Sequence, residues 1–401
     1  MKRQRLILVL NAGSSSLKFA LFSTDQTLEG IQRFYHGQFR NLDGKAHFSV
    51  ADARNDTLMD APAGIGNHEQ AIDHLLRWMD EHLQEYELVA AGHRIVHGGS
   101  RFERPVRIDP DVLEQLRAFV PLAPLHMPHN LAAIEALRKT LPGLKQVACF
   151  DTAFHRGMQR LEQIYALPRE WLDKGVRRYG FHGLSYEYIA AVLPHHLGEQ
   201  ARGRVIVAHL GHGASLCAMR DGRSIATTMG FTPLDGVPMA TRPGHLDPGI
   251  ITWMIRQAGL SVTEVDDLLN HHSGLSGLSG SSGDMQELLA DHRPEAIEAV
   301  DYFVHHTHRA IGSLAAALGG LDALVFTAGI GENAPSIRER ICDKASWLGI
   351  AFDAVANTEN RVRISLPQSR VSVWCIPTDE EAVIARHTFS LISAGRQGEP
   401  P

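Results

Sequence analysis

"RVIVAHLGHGASLCAM", residues 204–219, decides how the chain is read. An apolar run stops at a short polar turn carrying two glycines, and a Ser-Leu pair then opens a second apolar run. The same grammar stands at the start of the chain in "RLILVLNAGSSSLKFALF", residues 5–22. Short apolar runs bounded by turn residues read as buried strands. A Gly/Ser turn between them is either an ordinary hairpin or a cradle for an oxyanion. In the second case backbone N–H groups and the lysine just beyond, Lys18, would meet the charge. The later copy begins near the middle of the 401 residues, so each half holds one unit. Duplication of that kind predicts two similar domains facing each other across a cleft, each turn presenting amides to it.

Working outward, apolar patterning predicts further strands at 88–96, 146–150, 323–327 and 371–376. Helices are predicted at 71–84, 131–141, 294–318 and 336–345. Helices recurring between strands imply an α/β protein with largely buried sheets. A third element, "ALVFTAGIGENAPSIRERI" at 323–341, reads as a strand, a Gly-rich loop and a helix with Pro335 in its first turn. A helix start after a glycine loop suits an anion or a nucleotide. Three such elements together point to nucleotide binding. They are not a P-loop, because G-x-x-x-x-G-K-[ST] is missing, and no G-x-G-x-x-G opens a helix.

Bulk properties narrow the class. A net charge of -6 offers no basic field for nucleic acid, and no apolar run approaches a membrane span. The start "MKRQRLILVL" has basic residues but too short an apolar stretch for a signal peptide. The four cysteines stand far apart with no C-x-x-C pairing, which fits reduced thiols in the cytoplasm. The 23 histidines show no H-E-x-x-H or Cys/His ligand spacing, so no dedicated zinc site is expected.

Several residues stand out chemically. Arg94 in "GHRIVHGG" lies inside an apolar strand pattern, where a charge needs a buried partner or a ligand. A substrate carboxylate would satisfy it by bidentate pairing. Arg242 lies in the Pro/Gly-rich "TPLDGVPMATRPGHLDPG" and closes either a surface ion pair or a ligand contact. "QVACFDTAFH" ends a predicted strand at Asp151, the edge where α/β sites are built, although a local turn role would also explain that residue. His182 in "RRYGFHGLSYEYI" is either a core histidine or a site residue. Asp379, Glu380 and Glu381 in "CIPTDEEAVIARH" sit at a helix start, where acids are favoured anyway. In a nucleotide site one of them could orient the hydration shell of Mg²⁺.

The strings "NAGSSSLKF", "GHRIVHGG", "LAPLHMPHN", "FDTAFH", "RYGFHGLS", "HLGHGASL", "GFTPLDG", "TRPGHLDPG", "HHSGLSGLSGSSGDM", "GIGEN" and "PTDEE" occur in the order seen in acetate kinases. Across nearly its whole length the chain resembles that family of short-chain carboxylate kinases. The resemblance implies the duplicated α/β fold of actin, sugar kinases and Hsp70 (ribonuclease H-like domains), with ATP in an interdomain cleft. It implies an N-terminal domain of residues 1–152 plus 385–401 on the acceptor side, and a nucleotide-binding domain of 153–384. It further implies that Asp151, His182 and Arg242 are catalytic. Arg94 would hold the substrate carboxylate, and Val96, Leu125, Phe181 and Pro233 its methyl group. Ser14, Ser16 and Lys18 would line the phosphate path. His209, Leu210, Gly211, His212 and Gly213 would hold ATP or ADP, together with Asp284, Met285, Gln286, Gly329, Ile330, Gly331, Glu332 and Asn333. Asn11 and Glu380 would support Mg²⁺ or Mn²⁺. The implied partners are acetate and acetyl phosphate, with no nucleic acid or membrane, and a second copy in a cytoplasmic homodimer.

The chain departs from the family pattern at three points. His212 stands where Asn is usual, Ala240 where Gly is usual, and Ala226 where Asp is common. These changes bear on turnover and donor preference more than on fold. The expected reaction is reversible phosphoryl transfer from ATP to acetate. A carboxylate is already ionised at pH 7, so Asp151 is expected to position groups, not to abstract a proton. A propionate or other short-chain acyl kinase is the nearest alternative. An ATP-driven binding protein of the Hsp70 or actin kind is a more distant one, and the short tail after "PTDEEAV" favours the kinase.

Overall fold

The computed structural model describes residues 4–24, 27–28 and 30–394. The chain divides into two compact units, one running to Ala153 and resuming at Asp379, the other spanning Phe154–Thr378. By this division Glu380 lies in the same unit as Arg94 and Asp151. Residues 1–3 and 395–401 of the expected N-terminal domain lie outside the described residues.

The first unit is built on strands β1 (Gln4–Ala12), β2 (Leu17–Thr24), β3 (Gln32–Arg40), β4 (His47–Asp52), β5 (Thr57–Pro62), β6 (Tyr86–Ile95), β7 (Val106–Arg107) and β8 (Lys145–Phe150). Their order across the sheet is β5-β4-β3-β2-β1-β6-β8-β7. β1 runs antiparallel to β2 and parallel to β6, which is parallel to β8. Covered on both faces, β1 reads as an unbroken apolar run from Leu6 to Leu10. Helices His68–His82 and Met127–Thr140 contribute Ile72, Leu75, Trp78 and Leu137 to a core with Leu6, Leu8, Leu10 and Phe19. The C-terminal helix Glu380–Ala394 packs on β1, β6 and β8.

The second unit repeats the plan with β9 (Arg204–Leu210), β10 (Ala214–Arg220), β11 (Arg223–Thr227), β12 (Ala323–Thr327) and β13 (Ser372–Cys375), in the order β11-β10-β9-β12-β13. β9 is antiparallel to β10 and parallel to β12, which is parallel to β13. Strands β3-β2-β1-β6-β8 of the first unit have this same order and sense. Residues 5–22 and 204–219 thus hold the central hairpins of two copies of one sheet, as the actin and sugar-kinase type of fold requires. Helix Gly183–Leu197 covers one core of the second sheet through Tyr186, Ile189 and Leu193, and Pro294–Leu318 packs on β9, β10 and β11.

One expectation changes. The Gly-rich segment after β12 is not a loop but a helical turn, Ala328–Asn333, which starts directly at the strand end. The Glu332 carboxylate makes this so by accepting from the Ala328 N–H at 2.7 Å, closing the first turn.

Candidate active site

In the first unit the polar residues gather where the parallel strands end. Asn11 lies at the end of β1, Arg94 near the end of β6, and Asp151 just beyond β8, its N–H bonded to the Ile95 carbonyl. The Arg94 Nε donates to both oxygens of Asp151 at 3.1 Å, and one terminal nitrogen donates to Asp151 Oδ2 at 2.6 Å. The other terminal nitrogen donates to Asn11 Oδ1 at 3.2 Å, and Glu380 Oε2 stands 3.7 Å from Nε. Asp151 is buried while the Arg94 side chain is 25% exposed, so the pair opens to one side. A guanidinium has five N–H groups. Three are engaged by Asp151 and Asn11, and the partly exposed side chain keeps N–H capacity for an incoming carboxylate.

Burial pushes the Glu380 carboxyl up to about 7, with Asp151 adding to the rise and Arg94 opposing it. Against desolvation, Asp151 and Glu380 hold the Arg94 guanidinium above its usual range. Lys18 is the cross-strand partner of Asn11, exposed on β2. The connecting turn is a hairpin, closed by Gly13 N–H to the Ser16 carbonyl at 2.8 Å. It is tethered by His68 Nε2 on the Gly13 carbonyl at 2.7 Å, and Ser14 projects at its exposed tip. Val96 is buried and Leu125 half-buried in this unit.

In the second unit His182 takes a left-handed conformation, φ +56°, immediately before helix Gly183–Leu197. Such a backbone in a non-glycine residue is strained and persists only where its surroundings enforce it. His155 does so in part. Burial lowers its pKa to about 4, and its Nε2–H donates to the Phe181 carbonyl at 2.9 Å. The His182 ring pairs through Nδ1 with Ser215 Oγ at 2.8 Å, Ser215 pairs with the Tyr186 hydroxyl at 2.6 Å, and the ring stacks on His209 with centroids 4.2 Å apart. Gly213, in the turn after β9, explains the next neighbour. A Cβ there would lie 3.1 Å from His182 Nε2 and 2.9 Å from an Arg242 terminal nitrogen. The turn's backbone, the imidazole and the guanidinium thus converge on one point, which only glycine leaves open. Arg242 is fixed by donation to the Pro233 carbonyl at 2.9 Å.

Beside this cluster is a cavity of about 630 Å³, lined by Gly211, His212, Thr241, Asp284, Met285, Gln286, Gly329, Ile330 and Asn333 among others. All three segments expected to hold nucleotide contribute, and the size suits a nucleotide-sized ligand. Not every expected residue lines it. Leu210 is buried at the end of β9, Gly331 packs against β12, and the Glu332 carboxylate is turned inward to Ala328 and the Thr378 N–H. The departures have local consequences. Ala240 donates its N–H to the His212 carbonyl and accepts from the Ser276 N–H, and a Cβ on Gly283 would fall 3.0 Å from Ala240 Cβ, so glycine faces the alanine. Ala226 is buried in β11 beside a separate cavity.

Sequence reasoning passed over residues that hold the site in place. Asn130 donates to the Ala12 carbonyl at 2.9 Å and accepts from the Val96 N–H at 3.1 Å, joining the β1 turn to the end of β6. It is the last residue of "LAPLHMPHN", and Ser215 stands within "HLGHGASL", so both lay inside strings already singled out. Among the described residues no group of three His, Cys, Asp or Glu could hold a metal, and no helix is long and apolar enough to cross a membrane.

Comparison with known proteins gives the family. Residues 6–386 match the model of the acetokinase family. An acetate kinase of Rhodopseudomonas palustris is 52% identical over 396 residues, covering 98% of this chain and 99% of its own. Among solved structures, a propionate kinase from Francisella tularensis superposes with a TM-score of 0.89 at 38% identity, covering 96% of this chain and all of its own. The Porphyromonas gingivalis acetate kinase superposes with a TM-score of 0.86 at 36% identity, over 97% of this chain and all of its own. By sequence across nearly its full length and by fold, the chain belongs to the acetokinase family.

Proposed function

We propose that the protein transfers the terminal phosphoryl group of ATP to acetate, giving acetyl phosphate and ADP, and runs the reverse reaction through the same groups. The observation that carries this reading is Arg94: one edge is taken by Asp151, and the partly exposed guanidinium has N–H capacity left for an acceptor carboxylate. Acetate arrives ionised, so Asp151 acts by orienting Arg94 and not by removing a proton. The rest of the task is electrostatic, because phosphoryl transfer spreads charge over the equatorial oxygens. Arg242 and His182, converging at Gly213, meet that charge, and the amides and side chains of the 630 Å³ cavity hold the nucleotide. Asp284, Met285, Gln286, Gly329, Ile330 and Asn333 contact the nucleoside, and Gly211 to Gly213 contact the phosphates. The phosphate path also uses Ser14, Ser16 and Lys18.

Asn11 Oδ1 and Glu380 are hard oxygen donors, suited to Mg²⁺ or Mn²⁺ and not to zinc, and two protein ligands are what a phosphate-bound Mg²⁺ needs. When bound, the ion neutralises phosphate charge. The acetate methyl requires an apolar contact, the role assigned to Val96, Leu125, Phe181 and Pro233. A second copy is met through helix Pro248–Arg256, none of whose residues is buried and whose Trp253 is 60% exposed. Cys217, Cys342 and Cys375 are buried free thiols, which fits a cytoplasmic location. Incubation with ATP, Mg²⁺ and acetate in the presence of hydroxylamine tests the reaction: acetohydroxamate should accumulate, and ATP consumption without it would refute the transfer.

A further inference from the structure

Arg338, in helix Pro335–Lys344, is completely buried. Its Nε donates to Asn357 Oδ1 at 2.7 Å. One terminal nitrogen donates to the Gly331 and Glu332 carbonyls at 2.9 and 2.8 Å, and the other to the Asn357 carbonyl and Asn360 Oδ1 at 3.0 and 2.6 Å. All five N–H groups are satisfied, and every acceptor is neutral. Among the described residues no carboxylate pairs with this guanidinium.

A buried cation without a counter-charge is costly, and well-packed apolar side chains commonly serve stability as well or better. What the arginine achieves instead is geometry. Gly331 and Glu332 belong to the turn Ala328–Asn333, whose Gly329, Ile330 and Asn333 line the cavity. Six residues are too few to hold a helix by themselves. This turn also begins with Ala328 at φ +66°, a strained value for a residue with a Cβ. Its start is fixed by the Glu332 carboxylate on Ala328 N–H and Thr378 N–H, at 2.7 and 3.2 Å. Its end is fixed by Arg338. Asn357, itself buried, completes the frame by donating to the Pro335 carbonyl at 2.9 Å.

We propose that Arg338 is a positioning residue for the phosphate-donor nucleotide, acting through the Gly331 and Glu332 carbonyls to hold the turn 328–333 in the shape that lines the cavity. The proposal rests on the reading of that cavity as the nucleotide site. It separates donor from acceptor: the Arg94 cluster belongs to the other unit and shares no partner with Arg338.

The test uses Arg338→Lys, which keeps a charge but not the planar fork, and Asn360→Ala, which removes a single acceptor and leaves the arginine buried. ADP affinity by titration calorimetry and steady-state constants are measured for each. Loss of hydrogen bonds to a charged group should weaken ADP binding on the order of tenfold in Arg338→Lys and a few-fold in Asn360→Ala. The KM for acetate and the kcat at saturating ATP should stay within about twofold of wild type. A folded variant with unchanged ADP affinity, or one whose acetate KM rises in parallel with its ATP KM, overturns the proposal. Should Arg338→Lys fail to fold, Asn360→Ala decides alone on the same criteria. Failure of the wild type to bind ADP would instead refute the nucleotide reading of the cavity itself.

Discussion

Arg94 turns one edge of its guanidinium onto Asp151, with Nε 3.1 Å from both carboxylate oxygens and a terminal nitrogen 2.6 Å from Oδ2. This fixes the plane of the guanidinium, whose partly exposed side keeps N–H capacity for an acceptor. Arg94→Ala should therefore raise the KM for acetate strongly along with a loss of rate. Asp151→Asn, which keeps the shape but not the charge, should also raise that KM, by about 10-fold or more. Initial-rate kinetics across acetate concentrations at saturating ATP read both. An unchanged acetate KM in Arg94→Ala would remove Arg94 from the acceptor site.

Arg242 is held differently, by a neutral carbonyl, and its other terminal nitrogen faces Gly213 beside His182. It is placed to meet charge that grows during transfer. Arg242→Ala should lower kcat by on the order of 10²–10³ with modest changes in either KM, as for other removed charge-stabilising donors. Single-turnover rates distinguish this from slow product release, and a near-normal rate would exclude Arg242 from the transition state.

Glu380 gains a proton as pH falls through about 7, because burial favours its neutral form. A divalent cation favours the ionised form and competes with that proton. Mn²⁺ affinity of the nucleotide-free protein, followed by electron paramagnetic resonance, should therefore rise as pH climbs from 6 to 8 and level off above about 7. Glu380→Gln should weaken binding and flatten the profile. A wild-type profile already flat across this range would contradict the assignment.

His212 lines the cavity proposed for the nucleotide, and burial, followed by the nearby Arg242 charge, lowers its pKa from the ordinary imidazole value. Both favour the neutral imidazole in the free protein. Bound phosphates raise the pKa relative to that state, so ADP affinity should be greatest at low pH and decline as pH rises through the ligand-bound value. Calorimetry between pH 5.5 and 7.5 should show this slope in wild type and lose it in His212→Asn. Parallel curves for the two proteins would make His212 a bystander.

The duplicated sheet was legible because β1 and β9 are buried on both faces and read as bare apolar runs ending at glycine turns. Helix Pro294–Leu318 was readable to the residue for a related reason: Pro294 at its start and Gly319 beyond its end punctuate a long apolar period. Strands β3, β4 and β5 were not read, since they lie toward the sheet edge with mixed, half-exposed side chains such as Gln32, Arg33 and His36. The segment 328–333 read as a loop because its glycines conceal a turn enforced from a distance, by Glu332 and by Arg338. At the site, Arg94 announced itself as a charge inside a strand. Asp151 lay at a strand edge, but nothing in the sequence showed that the two bind each other. The supporting roles of His155, Ser215 and Asn130 depend on contacts between residues 26 or more positions apart, which no local pattern encodes.

Transfer of phosphate to a small carboxylate is measured by kcat/KM for acetate, propionate and butyrate with ATP and Mg²⁺, each acyl phosphate trapped by hydroxylamine. If Val96, Leu125, Phe181 and Pro233 meet the acetate methyl as proposed, each added methylene changes the fit by roughly 1–3 kcal/mol. Hydroxamate should form from all three acids in amounts matching the ADP formed, with efficiency falling from acetate to propionate to butyrate. Butyrate equal to or better than acetate, or ADP formed without any hydroxamate, would contradict this assignment.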